Sequence, residues 1–351
     1  MEKVIKNSNS FVSIIIVTYN GKFILEECLN SLLKVNYKYF EIIIVDNASK
    51  DRTKRLVFDF KKKNKQVVVK YIQNKRNVGF ASGNNIGIKY ADGDYILLLN
   101  NDTIVTPNFL TVLTHEIKKS GNIGVVQPKI IFFDSKKLQS GSTFITNLGF
   151  LYYEGFGGNQ KDLEFNSKKR TFSANGACML IRKEVIDKVG LFDDDFFAYY
   201  EETDFCQRVL MANYSIWYCP KSIIYHKGGV TAKNMSEQFV FYHLFKNRIS
   251  SILKNFESLN AVKFLTISLV LYLGLAIYYV LTFRAVLSVA VIKSIFWNVS
   301  HIYATMQKRS LIQQAVRKIP DSAYMGFLTK KIGFSYYVRL LMNKDQEILV
   351  K

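Results

Sequence analysis

Between Phe11 and about Val126 the chain repeats one unit: an apolar run of strand length, a polar cluster, then a helical stretch. The runs are "FVSIIIVTYN", "FEIIIVDNAS", "QVVVKYI" and "DYILLLNND". The helical stretches are Lys22 to Lys34, Asp51 to Lys63, Ala81 to Tyr90 and Asn108 to Lys119, the last with Pro107 suited to its first turn. Strands this continuously apolar are buried on both faces, and their alternation with helices predicts an α/β fold: an open, mostly parallel sheet with helices on either side.

The polar clusters share a position. Thr18-Tyr19-Asn20, Asp46-Asn47-Ala48-Ser49 and Asn100-Asn101-Asp102 each follow the end of a strand. In an open parallel sheet those ends border a single crevice where ligands bind, so three distant clusters are expected to converge. Asp102 has two readings. It can cap a turn or helix, with Thr103 and Pro107 nearby. It can also hold a divalent cation on a diphosphate, because Mg²⁺ or Mn²⁺ there needs only one or two protein carboxylates. Asp46 can cap the helix after it or accept from a nucleobase N–H or a ribose hydroxyl. "RNVGFASGNNIG" (Arg76 to Gly87) reads either as a turn or as a close backbone approach to a ligand with Arg76 near phosphate. "YYEETDFCQR" carries Glu201, Glu202 and Asp204 just after Asp193, Asp194 and Asp195 in a phenylalanine-rich stretch. Acidic residues favour a helix N-terminus, and carboxylates beside apolar surface are candidates for a raised pKa and base chemistry. His226, in "YHKGG", follows a strand.

A formal charge of +20 calls for an acidic partner: nucleic acid, an anionic membrane face or a phosphorylated substrate. The basic residues are scattered and form no nucleic-acid-binding motif. Cys28, Cys178, Cys206 and Cys219 make no C-x-x-C pair, which argues against structural zinc and disulfides and for a reducing compartment. Phe11 to Val17 reads as a first strand and not as a signal peptide. From Lys129 to Gly158 the pattern is weak, with short strands and a flexible loop expected; Lys183 to Val189, Thr203 to Met211 and "SIWYCP" resume as helix, helix and strand. Ala261 to Phe283 is long and apolar enough to cross a bilayer, and a second apolar run spans Ala285 to Tyr303. Lys246, Arg248 and Lys254 precede these runs and Lys308, Arg309, Arg317 and Lys318 follow, which puts both flanks on the cytoplasmic side. A hairpin of two spans fits that, and so does a re-entrant segment with an interfacial helix.

In order along the chain, "VSIIIVTYN", "IIIVDNASKD", "NVGFASGNNIG", "LLLNNDT", "SANGACMLIRKEVIDKVGLFDDDFFAYYEETDFCQR" and "HKGG" resemble the blocks of an inverting family 2 glycosyltransferase with the GT-A fold. The resemblance covers Val12 to Gly229. Its nearest subgroup is the rhamnosyltransferase-like enzymes of cell-surface polysaccharide assembly, whose basic C-terminal region "SIFWNVSHIYATMQKR" also resembles. The resemblance implies that Thr18, Tyr19 and Asn20 flank the nucleotide, that Asp46 binds its base, and that Asn77, Gly79 and Asn84 shape the nucleotide-sugar pocket. It implies a metal motif in Asn100-Asn101-Asp102, with Asp102 and His226 as ligands of Mg²⁺ or Mn²⁺. Asn100 stands where that motif often has an acid, leaving Asp102 as the carboxylate ligand. Glu202 matches the catalytic base, with Glu201 and Asp204 as alternatives, since the pair is more often Glu-Asp.

The expected partners are a nucleoside-diphosphate sugar (UDP- or TDP-sugar foremost), a glycan or polyprenyl-linked glycan acceptor and membrane lipids, but no nucleic acid; a homo-oligomer is compatible. The expected place is the cytoplasmic membrane, with the catalytic domain facing the cytoplasm. The expected organisation is an extension (1–10), a GT-A domain (11–250), membrane-associated helices (251–305) and a basic tail (306–351). A nucleotidyltransferase would show a Gly-rich loop with Arg and Lys where "TYNGKFILEE" stands. A processive synthase would show a Gln-x-x-Arg-Trp block, yet neither Trp217 nor Trp297 follows an Arg. The non-enzyme alternative is a pseudoenzyme acting as a scaffold in a membrane polysaccharide-assembly complex.

Overall fold

The computed structural model describes residues 10–228, 235–333 and 335–337. The N-terminal extension up to residue 9, Gly229 of the last block and the tail from residue 338 lie outside them. The first half follows the expected alternation: β1 (Val12–Thr18), α1 (Lys22–Leu32), β2 (Phe40–Asp46), α2 (Thr53–Lys63), β3 (Val68–Gln73), α3 (Gly79–Lys89) and β4 (Tyr95–Leu99). These strands lie in the order β4-β1-β2-β3 and pair in parallel. The double burial has a direct cause. Ile14 and Ile16 join the core under α1 and α2, while Ile15 one position on joins the core with Ala81 of α3, so both faces of one strand are covered.

The second half contains β5 (Thr103–Val105), α4 (Phe109–Lys118), β6 (Ile123–Phe132), β7 (Leu138–Ser140), β8 (Thr143–Thr146), β9 (Leu151–Tyr153), β10 (Lys169–Arg170), β11 (Cys178–Arg182), α5 (Lys183–Val189), α6 (Glu201–Met211) and β12 (Ser215–His226). Here the sheet becomes mixed. β11 runs antiparallel between β4 and β6, β12 pairs parallel with β6, and β5 lies antiparallel on β12. No α-helix connects β6 to β11; the chain returns through short strands and one 3-10 turn, Leu163–Asn166, and a parallel return needs a crossover. β12 runs six residues beyond Pro220, because a register shift between Cys219 and Ile223 lets the strand carry the proline. That extension sets His226 opposite Thr103 of β5, beside Asp102.

A helical layer follows: α7 (Glu237–Asn255), α8 (Ser258–Leu281), α9 (Ala285–Ser300), α10 (Ile302–Leu311) and α11 (Asp321–Leu328), then β13 (Thr329–Lys330), which pairs with β8. α7 had no counterpart in the sequence reading, and residue 250 falls inside it. Residues after 306 also pack onto the catalytic layer: Lys318 N–H donates to Met211 O at 2.8 Å. Arg248 of α7 is buried and donates to Ser268 Oγ and Tyr272 Oη of α8 and to Gly149 O, tying three elements together. α8 packs Phe264, Ser268, Tyr272, Leu275 and Tyr279 inward. Its other face exposes Val262, Val270, Leu273, Ile277 and Val280, and α9 exposes Val286, Val289, Ile292, Phe296 and Val299. Among the described residues α8 is the single helix long and apolar enough to cross a membrane, with a mean hydropathy of 2.2, and α9 meets the helix after it at a 64° bend.

Candidate active site

The strand ends form one wall of a cleft of about 220 Å³. Thr18, Tyr19, Asn77, Gly79, Asn100, Asn101, Asp102, Glu201, Glu202 and His226 all line it. The loops are stitched together. Asn101 Nδ2 donates to Thr18 Oγ1 at 3.0 Å, and Asn47 N–H donates to Thr18 O at 2.8 Å. Asn47 Nδ2 donates to Gly79 O at 3.0 Å, joining β2 to the start of α3.

Five residues named from the sequence stand off the cleft wall. Asp46 is fully buried; its carboxylate accepts from Ser49 N–H at 2.8 Å and from the Tyr71 hydroxyl, so it shapes the turn after β2. Asn20, at φ 50, clips two loops together: its N–H donates to Ser49 Oγ and its Oδ1 accepts from Lys50 N–H. Asn84 is buried within α3 and donates back to Phe80 O. Asp204 is buried against Lys254 at 3.2 Å, Arg208 at 3.3 Å and Asn255 Nδ2 at 2.8 Å. Its carboxylate is turned toward two cations and an amide and away from the cleft. Arg76 is exposed and also off the wall.

Asp102 and His226 sit side by side, with Oδ1 2.9 Å from Nε2. Gln139, from the segment of weak sequence signal, places its amide against the other ring nitrogen: Nε2 at 2.8 Å and Oε1 at 3.0 Å from Nδ1. The amide thus serves either tautomer by presenting a donor or an acceptor. With Nε2–H donated to Asp102, Nδ1 accepts from Gln139 Nε2. With Nδ1–H donated to Gln139 Oε1, the Nε2 lone pair would be available to a cation, and the Gln139 amide would hold the ring in that orientation. A carboxylate and an imidazole this close together suit a small divalent cation, so Asp102 and His226 would be the residues to hold Mg²⁺ or Mn²⁺. Among the described residues no cluster of three or more His, Cys, Asp or Glu is placed to hold a metal. A cation here would take its remaining ligands from phosphate oxygens and water.

Across the cleft, Tyr199 and Tyr200 occupy left-handed backbone conformations at φ 72 and φ 73, and α6 begins at Glu201. Burial pushes the Glu202 carboxyl up to about 7, with the backbone N–H groups of Glu202 and Thr203 acting in the opposite sense. Glu201 is raised well above the carboxylate range by burial and then by the Glu202 charge, and its Oε2 has no partner. Burial thus favours the protonated form of Glu201, and it holds the Glu202 carboxyl near neutrality. Other residues of the wall include Phe80, Gln139, Asn175, Gly176, Phe197 and Tyr199, which the sequence did not single out as site residues, and Asn47, which it named only within a strand-end cluster. Asn47 was within reach, since it shares a strand-end cluster with Asp46.

The strand order and this crevice define a GT-A architecture. A profile described as Glycosyl transferase family 2 matches residues 13–190, and the chain belongs to that family. Among similar curated proteins is the low-salt glycan biosynthesis hexosyltransferase Agl10 of Haloferax volcanii, 26% identical over 269 residues, which are 74% of this chain and 81% of that one. Another is the poly-beta-1,6-N-acetyl-D-glucosamine synthase of Staphylococcus epidermidis, 24% identical over 60% of this chain; the chain spans about half (48%) of that synthase. Among solved structures, the Pyrobaculum calidifontis mannosyltransferase PcManGT with GDP-Man and Mn²⁺ superposes with a TM-score of 0.56 over 97% of this chain and 89% of that one, at 14% identity. GalNAc-T7 with UDP, GalNAc and Mn²⁺ gives 0.58 over 71% of this chain and 48% of that one, at 19% identity.

Proposed function

We propose that this chain is a membrane-associated inverting glycosyltransferase. It moves one sugar, rhamnose or another hexose, from a nucleoside-diphosphate sugar to a hydroxyl of a glycan or lipid-linked glycan. The observation that carries the proposal is the division of one cleft between a carboxylate–imidazole pair, Asp102 and His226, and a carboxyl poised near neutrality, Glu202. Glu202 takes the proton from the acceptor hydroxyl as that oxygen bonds to the anomeric carbon. The bond from that carbon to the diphosphate breaks on the opposite face, so configuration inverts and the nucleoside diphosphate leaves. Asp102 and His226 would hold a divalent cation, which when bound supplies a Lewis acid for the departing charge. Support for Mn²⁺ or Mg²⁺ comes from the donor set and from the Mn²⁺ present in two structural neighbours, GalNAc-T7 and PcManGT. UDP- and TDP-sugars are the first donors to try. Retention of all three functional side chains around one cleft speaks against a scaffold role.

The exposed apolar faces of α8 and α9, together with the net charge of +20, support a seat on an anionic bilayer with the catalytic domain on the cytoplasmic side. Isothermal titration of the detergent-solubilised protein with UDP, TDP and GDP, with and without Mn²⁺, tests the nucleotide site. Metal-dependent binding of one diphosphate, weakened at least about tenfold in Asp102→Ala, is expected. Absence of binding by every diphosphate to folded protein would sink the transferase reading.

A further inference from the structure

The loop that delivers Glu202 is held by the C-terminal layer. Two bulky residues in succession, Tyr199 and Tyr200, adopt positive φ immediately before Glu201, a conformation that persists only where the surroundings over-determine it. On one side, Phe197 O accepts from Phe80 N–H at 2.7 Å at the start of α3. On the other side stands α7. Asn247 is fully buried, and its Nδ2 donates to Ala198 O at 3.0 Å and Tyr199 O at 2.6 Å. Its Oδ1 has no partner, so the side chain bears the cost of a buried orphan acceptor while its donor end grips the loop. The Phe197 ring packs edge-on against Phe239 of α7 at 5.6 Å. Lys254, also buried, pairs with Asp193 and lies 3.2 Å from Asp204, bridging the loop to α6. Lys308 of α10 closes the set at 2.5 Å from Asp193 and 2.6 Å from Asp195. Burying a lysine and an amide is costly unless their partners need them.

We infer that α7 is a positioning element for the base: Asn247, through the carbonyls of Ala198 and Tyr199, and Lys254, through Asp193 and Asp204, hold residues 193–200 in the conformation that aims Glu202 into the cleft. Neither side chain lines the cleft, so both act through the loop. The inference rests on the transferase reading for the role of Glu202, but the clamp itself is a statement about the loop.

The experiment uses full-length detergent-solubilised protein carrying Asn247→Leu or Lys254→Met. Leucine removes the orphan oxygen and leaves the two loop carbonyls without their donor. Three quantities are read: nucleoside-diphosphate affinity by titration, kcat across pH, and amide hydrogen exchange of residues 193–200. We expect affinity to change less than about twofold and kcat to fall at least about tenfold, since small misplacement of a reacting group is that damaging. The pH midpoint of kcat should shift, and exchange should quicken within 193–200. Unchanged exchange in that segment overturns the inference, as does an unchanged kcat and midpoint. A parallel loss of nucleotide binding and turnover also overturns it, because that marks general destabilisation. Should Lys254→Met fail to fold, Asn247→Leu carries the same readouts. If the wild type transfers no sugar from any donor, the transferase reading fails, while hydrogen exchange still decides for or against the clamp.

Discussion

Glu202 and Asp204 stand two residues apart on α6, yet their surroundings differ sharply. Asp204 faces Lys254, Arg208 and Asn255 and is part of the frame. Glu202 faces the cleft, and burial holds its proton up to about 7. Because that pKa is raised, the basic form appears only as pH climbs through neutrality. The rate of the wild type should therefore rise with pH across about 7, and Glu202→Gln should lose roughly 10²–10⁴ in kcat together with that rise, while keeping its nucleotide affinity. A pH–rate series on both proteins checks this; an identical rise in the Gln variant would assign the titration elsewhere. Asp204→Asn should instead act on stability. Removing one partner of a buried pair costs about 3–5 kcal/mol, read as a lower denaturant midpoint. The sequence named both carboxylates but could not separate them, since the distinction lies in Lys254, fifty residues further on. Asp46 has a partner that its own cluster does not announce, for the same reason: the Tyr71 hydroxyl that donates to it belongs to the neighbouring strand.

At the scale of elements, legibility tracked the periodicity of the pattern. β1 to β4 and α1 to α4 were readable because each strand is a short, mainly apolar run and each helix is short and flanked by turn residues. The antiparallel β11 was hidden, since its run "CMLIR" looks the same in either direction. α7 was hidden because Lys246, Asn247, Arg248 and Lys254 all lie on buried surface, so no apolar stripe stands out against a polar one. His226 reaches Asp102 only because β12 continues past a proline that ordinarily argues against a strand. The start of α3 gives a direct test of how elements meet at the cleft. Gly79 has φ +83, and a Cβ there would stand 2.3 Å from Phe197 O. Gly79→Ala should cost about 1–3 kcal/mol from the backbone conformation alone, more as the Phe197 loop is displaced. It should also weaken nucleotide binding, because Gly79 O is the anchor for Asn47. Denaturant unfolding and titration of the same variant check both effects, and a variant as stable as the wild type would show that the loop yields freely.

At the scale of the whole molecule, two chemistries are available for the bilayer, and they separate experimentally. Charge attracts the chain to anionic lipid, weakens with salt over a Debye length of about 8 Å at physiological ionic strength, and is spread over many lysines. Apolar burial is local, and it falls on the outward faces of α8 and α9. Val270 and Ile277 lie seven positions apart on α8, exposed at 65% and 62%, on the face opposite the Phe264–Tyr279 seam. Replacing both with glutamate leaves that seam intact, so the thermal midpoint in detergent should stay within a few degrees, as is usual for surface changes of about ±0.5 kcal/mol. Flotation on vesicles of about one-third anionic lipid should then fall sharply for the double variant at every salt concentration, while the wild type keeps a salt-resistant fraction held by the apolar face. If the double variant floats like the wild type and is stripped equally by salt, charge alone holds the protein to lipid and α8 is not the seat. If it floats less and keeps its nucleotide affinity in detergent, then the helical layer that packs on α7 also faces the bilayer, as a lipid-linked acceptor would require.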